Sequence, residues 1–229
     1  MSNFDETVIR RLTALEREVE RLRVKERPVS YKDGWIPVSG TWTYKTATTI
    51  TVPSGAASIY KVGMGIRLTQ SSTVKYFYIV KVENTLLTIT GGSDYTLADA
   101  TISAVSYTNT PATAIGFPNT FSYTPTVTYV GGSTDPTSIT TTFHFSINGS
   151  LVSVIGTGYL TRGSGDRTYT TFTLPFIFDG ETGSFSCQYA DTVKQVYCIG
   201  DKTKVTTYHT AMISDGYYWL YFAGLLEDE

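Results

Sequence analysis

The chain has 229 residues and a formal net charge of −2, with an isoelectric point near 5.7. It lacks the basic excess that binding to a phosphate backbone requires, so we expect no nucleic-acid partner. No apolar run approaches the roughly 20 residues that span a bilayer, and the first residues are charged where a signal peptide would be apolar, so we expect neither membrane insertion nor export by that route.

Charge is concentrated at the beginning of the chain, where residues 1–27 carry 13 of the 38 charged residues (18 basic and 20 acidic). In this segment apolar residues recur at alternating spacings of four and three, which is a heptad seam. Asn3 and Glu6 form a capping box at the start of the predicted helix, and Pro28 ends it. A narrow seam buries little on a single helix, so the pattern predicts oligomerisation; a helix packed on its own domain is the alternative. The seam consists of Val8, Leu12, Leu15, Val19 and Leu22.

The charges beside this seam indicate how the helices would associate. In a parallel bundle Arg11 faces Glu16 of the neighbouring chain, and Glu18 faces Arg23. Both pairs are opposite in sign, which favours a parallel, in-register arrangement. The run from Arg11 to Glu16 also resembles a short trimer-specifying pattern of arginine, apolar, two free positions, apolar and glutamate. We therefore predict a homotrimeric coiled coil over residues 1–28, with a dimer as the alternative.

A small β domain is predicted next, over residues 29–110. Glycines and prolines around Trp35 indicate a neck over residues 29–40. Alternating apolar and polar residues over 74–82, then a turn and the run 86–90, predict a hairpin. Six short strands in this space are typical of a small, strongly bent sheet or barrel. The predicted strands are 41–44, 48–52, 65–70, 74–82, 86–90 and 101–107.

A second β domain is predicted over residues 111–229, after a segment that holds Pro111, Gly116 and Pro118. Asn148-Gly149, between two alternating runs, is the strongest hairpin signal in the chain because both residues tolerate positive φ. Eight strands in so short a segment favour a jelly-roll β-sandwich. The predicted strands are about 121–130, 137–147, 150–160, 168–178, 182–189, 194–199, 203–212 and 217–225.

Several short motifs of these β segments carry a resemblance. They are Gly34-Trp35-Ile36-Pro37 with Gly40-Thr41-Trp42-Thr43-Tyr44, Thr73-Val74-Lys75-Tyr76-Phe77-Tyr78, Gly91-Gly92-Ser93-Asp94-Tyr95-Thr96-Leu97, Ile115-Gly116-Phe117-Pro118, Tyr123-Thr124-Pro125 and Phe172-Thr173-Leu174-Pro175. Together they resemble minor structural proteins of tailed bacteriophages, in the fibre, tail-tip and receptor-binding class. The resemblance implies a trimeric virion appendage that is attached to the particle near one end and contacts the host surface near the other.

The chain contains no recognisable catalytic motif, neither Gly-x-Ser-x-Gly nor His-Glu-x-x-His. His144 and His209 lie in predicted strands and read as structural residues, with a metal shared on a trimer axis as the alternative. The glycines and serine of residues 163–167 read as a turn, since no Gly-Lys-Ser/Thr follows them. We therefore predict a protein that is not an enzyme and holds no cofactor or metal; carboxylates in turns leave glycan cleavage open.

Two features near the end of the chain have alternative interpretations. Cys187 and Cys198 would face each other if residues 188–197 formed a tight hairpin; we favour free thiols, since a protein assembled in the host cytoplasm is kept reduced. The run 217–222 places aromatic residues on both faces of its predicted strand, which is typical of a strand buried on both sides. We interpret the run as core or trimer interface, with a sugar-stacking platform as the alternative.

Predicted loops between the last strands are the candidate contact sites, because binding residues often lie on loops that a rigid scaffold holds. These loops cover residues 131–136, 162–167, 190–194 and 201–204, and their polar side chains suit hydrogen bonding to glycans. The candidate host-contact residues are Asp135, Arg162, Asp166, Arg167, Asp191, Lys194, Asp201 and Lys202.

The sequence as a whole predicts a mainly β virion protein with a trimeric coiled coil, a small β-barrel-like domain and a jelly roll. Its predicted partners are its own copies, other virion proteins and host cell-surface polysaccharide, which it would bind with its last domain. An architectural head fibre, decoration or collar protein without receptor binding is the main alternative, and a glycan-degrading spike is the third.

Overall fold

A computed structural model describes residues 11, 16, 17, 33–130, 139–160, 169–178, 184–189, 197–201, 203–208 and 216–227. The chain divides into two compact units, Met1–Lys32 and Asp33–Glu229. In the first unit only Arg11, Glu16 and Arg17 are described; each has helical backbone and is exposed. All the strands belong to the second unit, and the predicted boundary at residue 111 falls inside it.

The predicted fold class was wrong in one major respect, the long N-terminal coiled coil. Apart from Arg11, Glu16 and Arg17, the described part of the chain has one short α-helix, Ala56–Ile59 (α1), and no long one, so the fold is mainly β without a coiled coil. A heptad seam on an isolated helix is marginal in water, and the pattern supplies no packing partner within a single chain. The other residues of the predicted seam and its charge pairs lie outside the described residues: Val8, Leu12, Leu15, Glu18, Val19, Leu22 and Arg23.

Seven antiparallel strands form the first sheet. In chain order they are β1 (Ile36–Pro37), β2 (Thr43–Thr46), β3 (Thr49–Thr51), β4 (Gly65–Gln70), β5 (Thr73–Glu83), β6 (Leu86–Thr90) and β7 (Ser103–Thr108), and their order in the sheet is β1-β7-β4-β5-β6-β3-β2. The hairpin predicted from alternation is confirmed, since β5 pairs with β6. β1 and β2 end the sheet on opposite sides, so the predicted barrel-like closure is not found in these strands.

A buried glutamine holds the loop that follows β6 against this sheet. Gln70 is only 1% exposed, and its Nε2 donates to the carbonyls of Ala98 and Ala100 at 2.8 and 3.1 Å. Its Oε1 accepts from the Ala98 N–H and from Lys75 Nζ. Because every hydrogen-bonding group of the amide has a partner, burial of this polar side chain is stabilising and not costly.

Nine strands build two further antiparallel sheets, connected to the first by a 3₁₀ turn at Pro111–Thr113. The strands are β8 (Phe121–Tyr123), β9 (Val127–Val130), β10 (Ile139–Asn148), β11 (Leu151–Leu160), β12 (Tyr169–Thr173), β13 (Ser184–Tyr189), β14 (Tyr197–Asp201), β15 (Lys204–Tyr208) and β16 (Gly216–Leu225). The five-stranded sheet has the order β13-β16-β11-β10-β8, and the four-stranded sheet has the order β14-β15-β12-β9. Asn148-Gly149 turns β10 into β11 as predicted, with Gly149 at φ 59°.

These two sheets pack face to face, as in a β-sandwich. Phe143 of β10 and Phe172 of β12 are buried, and their ring centroids lie 5.2 Å apart across the interface between the sheets. Successive residues of a strand point to opposite faces, so one face of β10 fills the core while the other faces outward. The sandwich that we predicted for this half of the chain is therefore found.

The two cysteines lie in different sheets. Cys187 in β13 pairs with Leu220 of β16, whereas Cys198 in β14 pairs with Thr207 of β15. The tight hairpin that would have placed the two cysteines opposite each other does not form, because β13 and β14 hydrogen-bond to other strands. Apparent symmetry about a short polar segment is thus no evidence of pairing.

Candidate functional site

Most of the predicted contact residues lie outside the described part of the chain. These are Asp135, Arg162, Asp166, Arg167, Asp191, Lys194 and Lys202. Asp201 is the last residue of β14 and pairs in register with Lys204, the first residue of β15. The two ends of the predicted loop at 201–204 are therefore strand residues that pair at one end of the four-stranded sheet.

The histidines do not assemble a metal site in the described residues. His144 is exposed on β10, opposite Ile155 of β11, and His209 lies outside the described residues. Within the described ranges no three His, Cys, Asp or Glu side chains come together as metal ligands. Over the same ranges no helix has the length and apolar character needed to cross a membrane.

The aromatic run near the end of the chain lies in an interior strand of the five-stranded sheet, next to the edge strand β13. Its strand, β16, hydrogen-bonds to β13 on one side and to β11 on the other. Leu220 and Phe222 are each 1% exposed in the sandwich core, as predicted, but Tyr221 is 44% exposed on the opposite face. The core half of our interpretation holds for Leu220 and Phe222, and the interpretation of the other face as a trimer interface stays a prediction.

An aromatic junction connects the first sheet to the sandwich. Tyr78 of β5 contacts Phe117 and Phe121, with ring centroids 4.9 and 5.3 Å apart, and Phe121 of β8 stacks on Phe145 of β10 at 5.7 Å. The same core cluster also holds Trp35, whose Nε1 donates to the Ile115 carbonyl at 2.9 Å. One hydrophobic core therefore extends from the first sheet into the sandwich.

Two close backbone approaches accompany this junction. A Cβ on Gly63, in the turn before β4, would lie 1.8 Å from the carbonyl oxygen of Gly149 in the β10–β11 turn. A Cβ on Gly92 would lie 2.1 Å from the carbonyl oxygen of Ser122 in β8. Only glycine allows backbones to approach so closely, so these residues determine how tightly the sandwich packs on the first sheet.

A shallow groove of about 220 Å³ lies beside β1, at one end of the first sheet. Tyr60 forms one wall, in edge-to-face contact with Tyr107 at 5.3 Å and with Trp42 at 5.6 Å. Burial, with a smaller contribution from Tyr107, raises the pKa of Tyr60 to about 12. The apolar lining of this groove suits an apolar side chain or the face of a ring better than a charged group; it includes Ile36, Pro37, Val38, Pro53 and Ile59.

A second groove of similar volume has a charged lining. Lys61, Lys81 and Glu227 border it together with Tyr60, at the other side of the tyrosine. Lys81 Nζ lies 3.7 Å from a carboxylate oxygen of Glu83. Exposed ion pairs of this kind contribute little to stability, and the groove offers hydrogen-bonding groups of both signs to a polar ligand.

The sequence did not indicate either groove. Tyr60 follows α1 and Tyr107 is in β7, and the two are brought together by the pairing of β7 with β4, the strand that follows Tyr60. Pro37 lines the apolar groove, but in the sequence it indicated only a turn in the predicted neck. Comparison of the chain with protein families, with characterised proteins and with solved structures finds no match.

Proposed function

We propose that the protein is a structural component of a tailed-bacteriophage virion, of the fibre, tail-tip or receptor-binding class, and that it acts by binding and not by catalysis. The resemblance of its short motifs to that class supports the proposal from the sequence. The observation that carries it from the structure is the aromatic junction, through which the hydrophobic core of the sandwich continues to Trp35 and Tyr78; the other face of the first sheet has a separate core around Ile50, Ile66 and Phe77.

A shared core is what a load-bearing appendage requires. Each close aromatic pair contributes about 0.5–1.5 kcal/mol beyond its buried area, and the junction contains several such pairs around Tyr78 and Phe121. The connection from β7 to β8 is itself packed, because Phe117 is buried within it. A force on the sandwich is therefore transmitted to the first sheet without passing through a flexible linker.

The predicted loops would make the contact with the host surface. Arg162, Arg167 and the neighbouring acidic residues offer hydrogen bonds to polysaccharide, and weak sites repeated in an assembly gain affinity through multivalency. A rigid sandwich reduces the entropy that is lost when such loops bind. Host cell-surface polysaccharide is accordingly the ligand class that we propose.

The location of the protein on the particle is the direct test of the virion assignment. Antibodies raised against the purified full-length chain would be used for immunogold electron microscopy of particles produced by a phage that encodes it. We expect gold on an appendage of the intact particle. Particles that carry no label, and that lack the chain by mass spectrometry, would contradict the proposal.

Receptor binding is tested separately, by competition. Purified full-length protein should block adsorption of the particles to host cells, and the double variant Arg162→Ala/Arg167→Ala should block less well. Lys45→Ala, which removes an exposed cation of β2, is the matched control and should behave as the unmodified protein does. Release of reducing sugar from host polysaccharide would instead indicate an enzyme.

One observation favours the architectural alternative, a head fibre, decoration or collar protein. The groove beside β1 is lined mainly by proline, isoleucine, valine and tyrosine, which suits an apolar segment of another virion protein better than a hydrated glycan. Particles that lack the protein would distinguish the two roles. Normal adsorption by such particles would support the architectural role, and lost adsorption would support receptor binding.

A further inference from the structure

Large apolar side chains are exposed together on the outer face of the five-stranded sheet. In the described part of the chain eight large hydrophobic side chains are exposed, and five of them lie on this face, at 40 to 52% exposure. Single exposed apolar residues are ordinary, whereas a contiguous group marks an interaction site. We call this group the apolar sheet face; it consists of Leu151, Ile155, Ile177, Tyr221 and Leu225.

Strand register explains why these side chains lie together. Leu151 pairs with Leu225, and Ile155 pairs with Tyr221, across β11 and β16. Directly opposed residues of an antiparallel pair project to the same side of the sheet. The neighbouring residues of both strands that point to the other side are buried in the core, so the exposed set lies on the outer side; the buried set is Val152, Val154, Leu220 and Phe222.

Ile177 extends the same face past the end of β16. Phe178 bridges to Leu226, and both residues are buried. The N–H of Glu227 donates to the Ile177 carbonyl at 3.1 Å, which continues the pairing by one residue. Since neighbouring residues in extended backbone alternate, Ile177 points to the outer side, where it is 42% exposed.

The strands that form this face carry no fixed charge. No Asp, Glu, Lys or Arg occurs in β8, β10, β11, β13 or β16. A partner that is selected by charge would find no complementary group on these strands. A second copy of the chain presents the same face, which has no Asp, Glu, Lys or Arg and has the exposed His144 beside Ile155, so no pair of fixed like charges opposes the contact.

The outer side of the whole sheet approaches the size of a stable contact. With about 4.8 Å between strands and about 3.4 Å per residue, its five strands cover about 600 Å² in projection, and the relief of the side chains makes the accessible area larger. Each partner of a stable protein–protein interface typically contributes roughly 800 Å². A contact between two copies would therefore use most of this side of the sheet, with the apolar sheet face as its apolar part.

We propose that the apolar sheet face is a surface through which copies of this chain associate. The contact packs the outer side of the five-stranded sheet of one copy against the same sheet of a second copy, and Ile155 and Tyr221 lie at its centre. The proposal involves the sheet alone and is independent of the virion assignment.

Solution mass tests this association. Sedimentation equilibrium of the full-length chain over a wide concentration range should give a multiple of the 25.2 kDa chain mass. Ile155→Glu would place a carboxylate in the contact, and we expect association to weaken by about tenfold or more because a buried unpaired charge is costly. Ile115→Glu makes the same change at a residue that is 66% exposed away from this face, and it should leave the mass unchanged.

Two further measurements protect the test against a variant that fails to fold. Ile155→Thr keeps a β-branched residue in the strand and should still weaken association. Hydroxyl-radical labelling of Tyr221 in the unmodified protein should fall as concentration rises. A monomer throughout the range would overturn the proposal and assign the face to another partner, and so would an unchanged mass in both Ile155 variants or constant labelling of Tyr221.

Discussion

The carboxylate of Asp94 accepts two hydrogen bonds from Ser122, one from its backbone N–H at 2.7 Å and one from its Oγ at 2.5 Å. Asp94 lies in the loop after β6, and Ser122 is the middle residue of β8. The N–H of Ser93 also donates to the Ser122 carbonyl at 2.6 Å. Exposed hydrogen bonds that join Ser93 and Asp94 to Ser122 thus attach the short strand β8 to the loop after β6, while the buried ring of Phe121 packs against Tyr78 of the first sheet.

Removal of the Asp94 carboxylate should loosen this attachment. Asp94→Ala leaves the Ser122 N–H and Oγ without this acceptor, and we expect the free energy of unfolding to fall by about 1 kcal/mol, since the site is exposed and water replaces part of the loss. Urea denaturation of the full-length protein measures the change. Asp99→Ala, at an exposed aspartate of the following loop, is the control; equal effects of the two variants would contradict the role of Asp94.

The close approach of Gly63 to the β10–β11 turn gives a second test of the junction. Gly63→Ala would place a Cβ 1.8 Å from the Gly149 carbonyl oxygen, so we expect a loss of about 3 kcal/mol or more as the turns separate. Gly55→Ala is a matched control, because Gly55 has a similar φ of 91° against 85° but its Cβ would meet nothing nearer than 3.8 Å. That variant should lose only the strain of the backbone conformation, about 1–2 kcal/mol.

If the two glycine variants lost equal stability in urea or thermal denaturation, the contact between the first sheet and the sandwich would not be the cause. A selective loss at Gly63 that also separates the unfolding of the two parts into two transitions would strengthen the conclusion. Near-ultraviolet circular dichroism of the aromatic junction would report that separation.

Local patterns predicted local structure well. Alternation in β5 and β6, and Asn148-Gly149 between β10 and β11, predicted two hairpins that are found. Both depend on contacts between residues a few positions apart, for which turn chemistry and side-chain period suffice. Strand assignments in the second half were likewise close to the observed β10 and β11.

Long-range arrangement was harder to predict, and the errors have physical causes. Cys187 and Cys198 lie in different sheets because β13 pairs with β16, a strand almost 30 residues further along the chain, and not with β14. The alternation in β16 indicated an apolar residue on each face, but a sequence period does not tell whether the outer face, with Tyr221, is covered by the same chain or by another. The core that joins residues before and after the predicted boundary at 111, and the groove at Tyr60, both arise from packing between residues far apart in the chain. The hydrophobic periodicity of a single strand does not reveal such contacts.

A buried hydroxyl in the sandwich provides a further test. Tyr123 is 6% exposed, and its Oη has no hydrogen-bond partner among the described residues; burial raises its pKa. Tyr123→Phe removes the desolvated hydroxyl and keeps the ring, so we expect a gain of about 1 kcal/mol. Tyr78→Phe is the comparison, because a backbone hydrogen bond from Ile147 partly offsets the burial that raises the pKa of Tyr78. Loss of this hydrogen bond in Tyr78→Phe should destabilise the protein by about 1 kcal/mol. If both variants were more stable than the unmodified protein, the hydroxyl of Tyr78 would not have the hydrogen bond that we assign to it.

Alkaline titration should reveal the buried phenol of the groove. The pKa of Tyr60 is raised to about 12 in the folded chain, against about 10 for an unperturbed tyrosine. Above pH about 10 the unfolded state releases its proton first, so the folded state binds more protons and stability falls as pH rises towards about 12. Thermal denaturation over this range should show a falling midpoint, with a smaller fall for Tyr60→Phe. Below pH 9 the midpoints of the two proteins should depend on pH in the same way, and identical slopes above pH 10 would show that Tyr60 does not contribute.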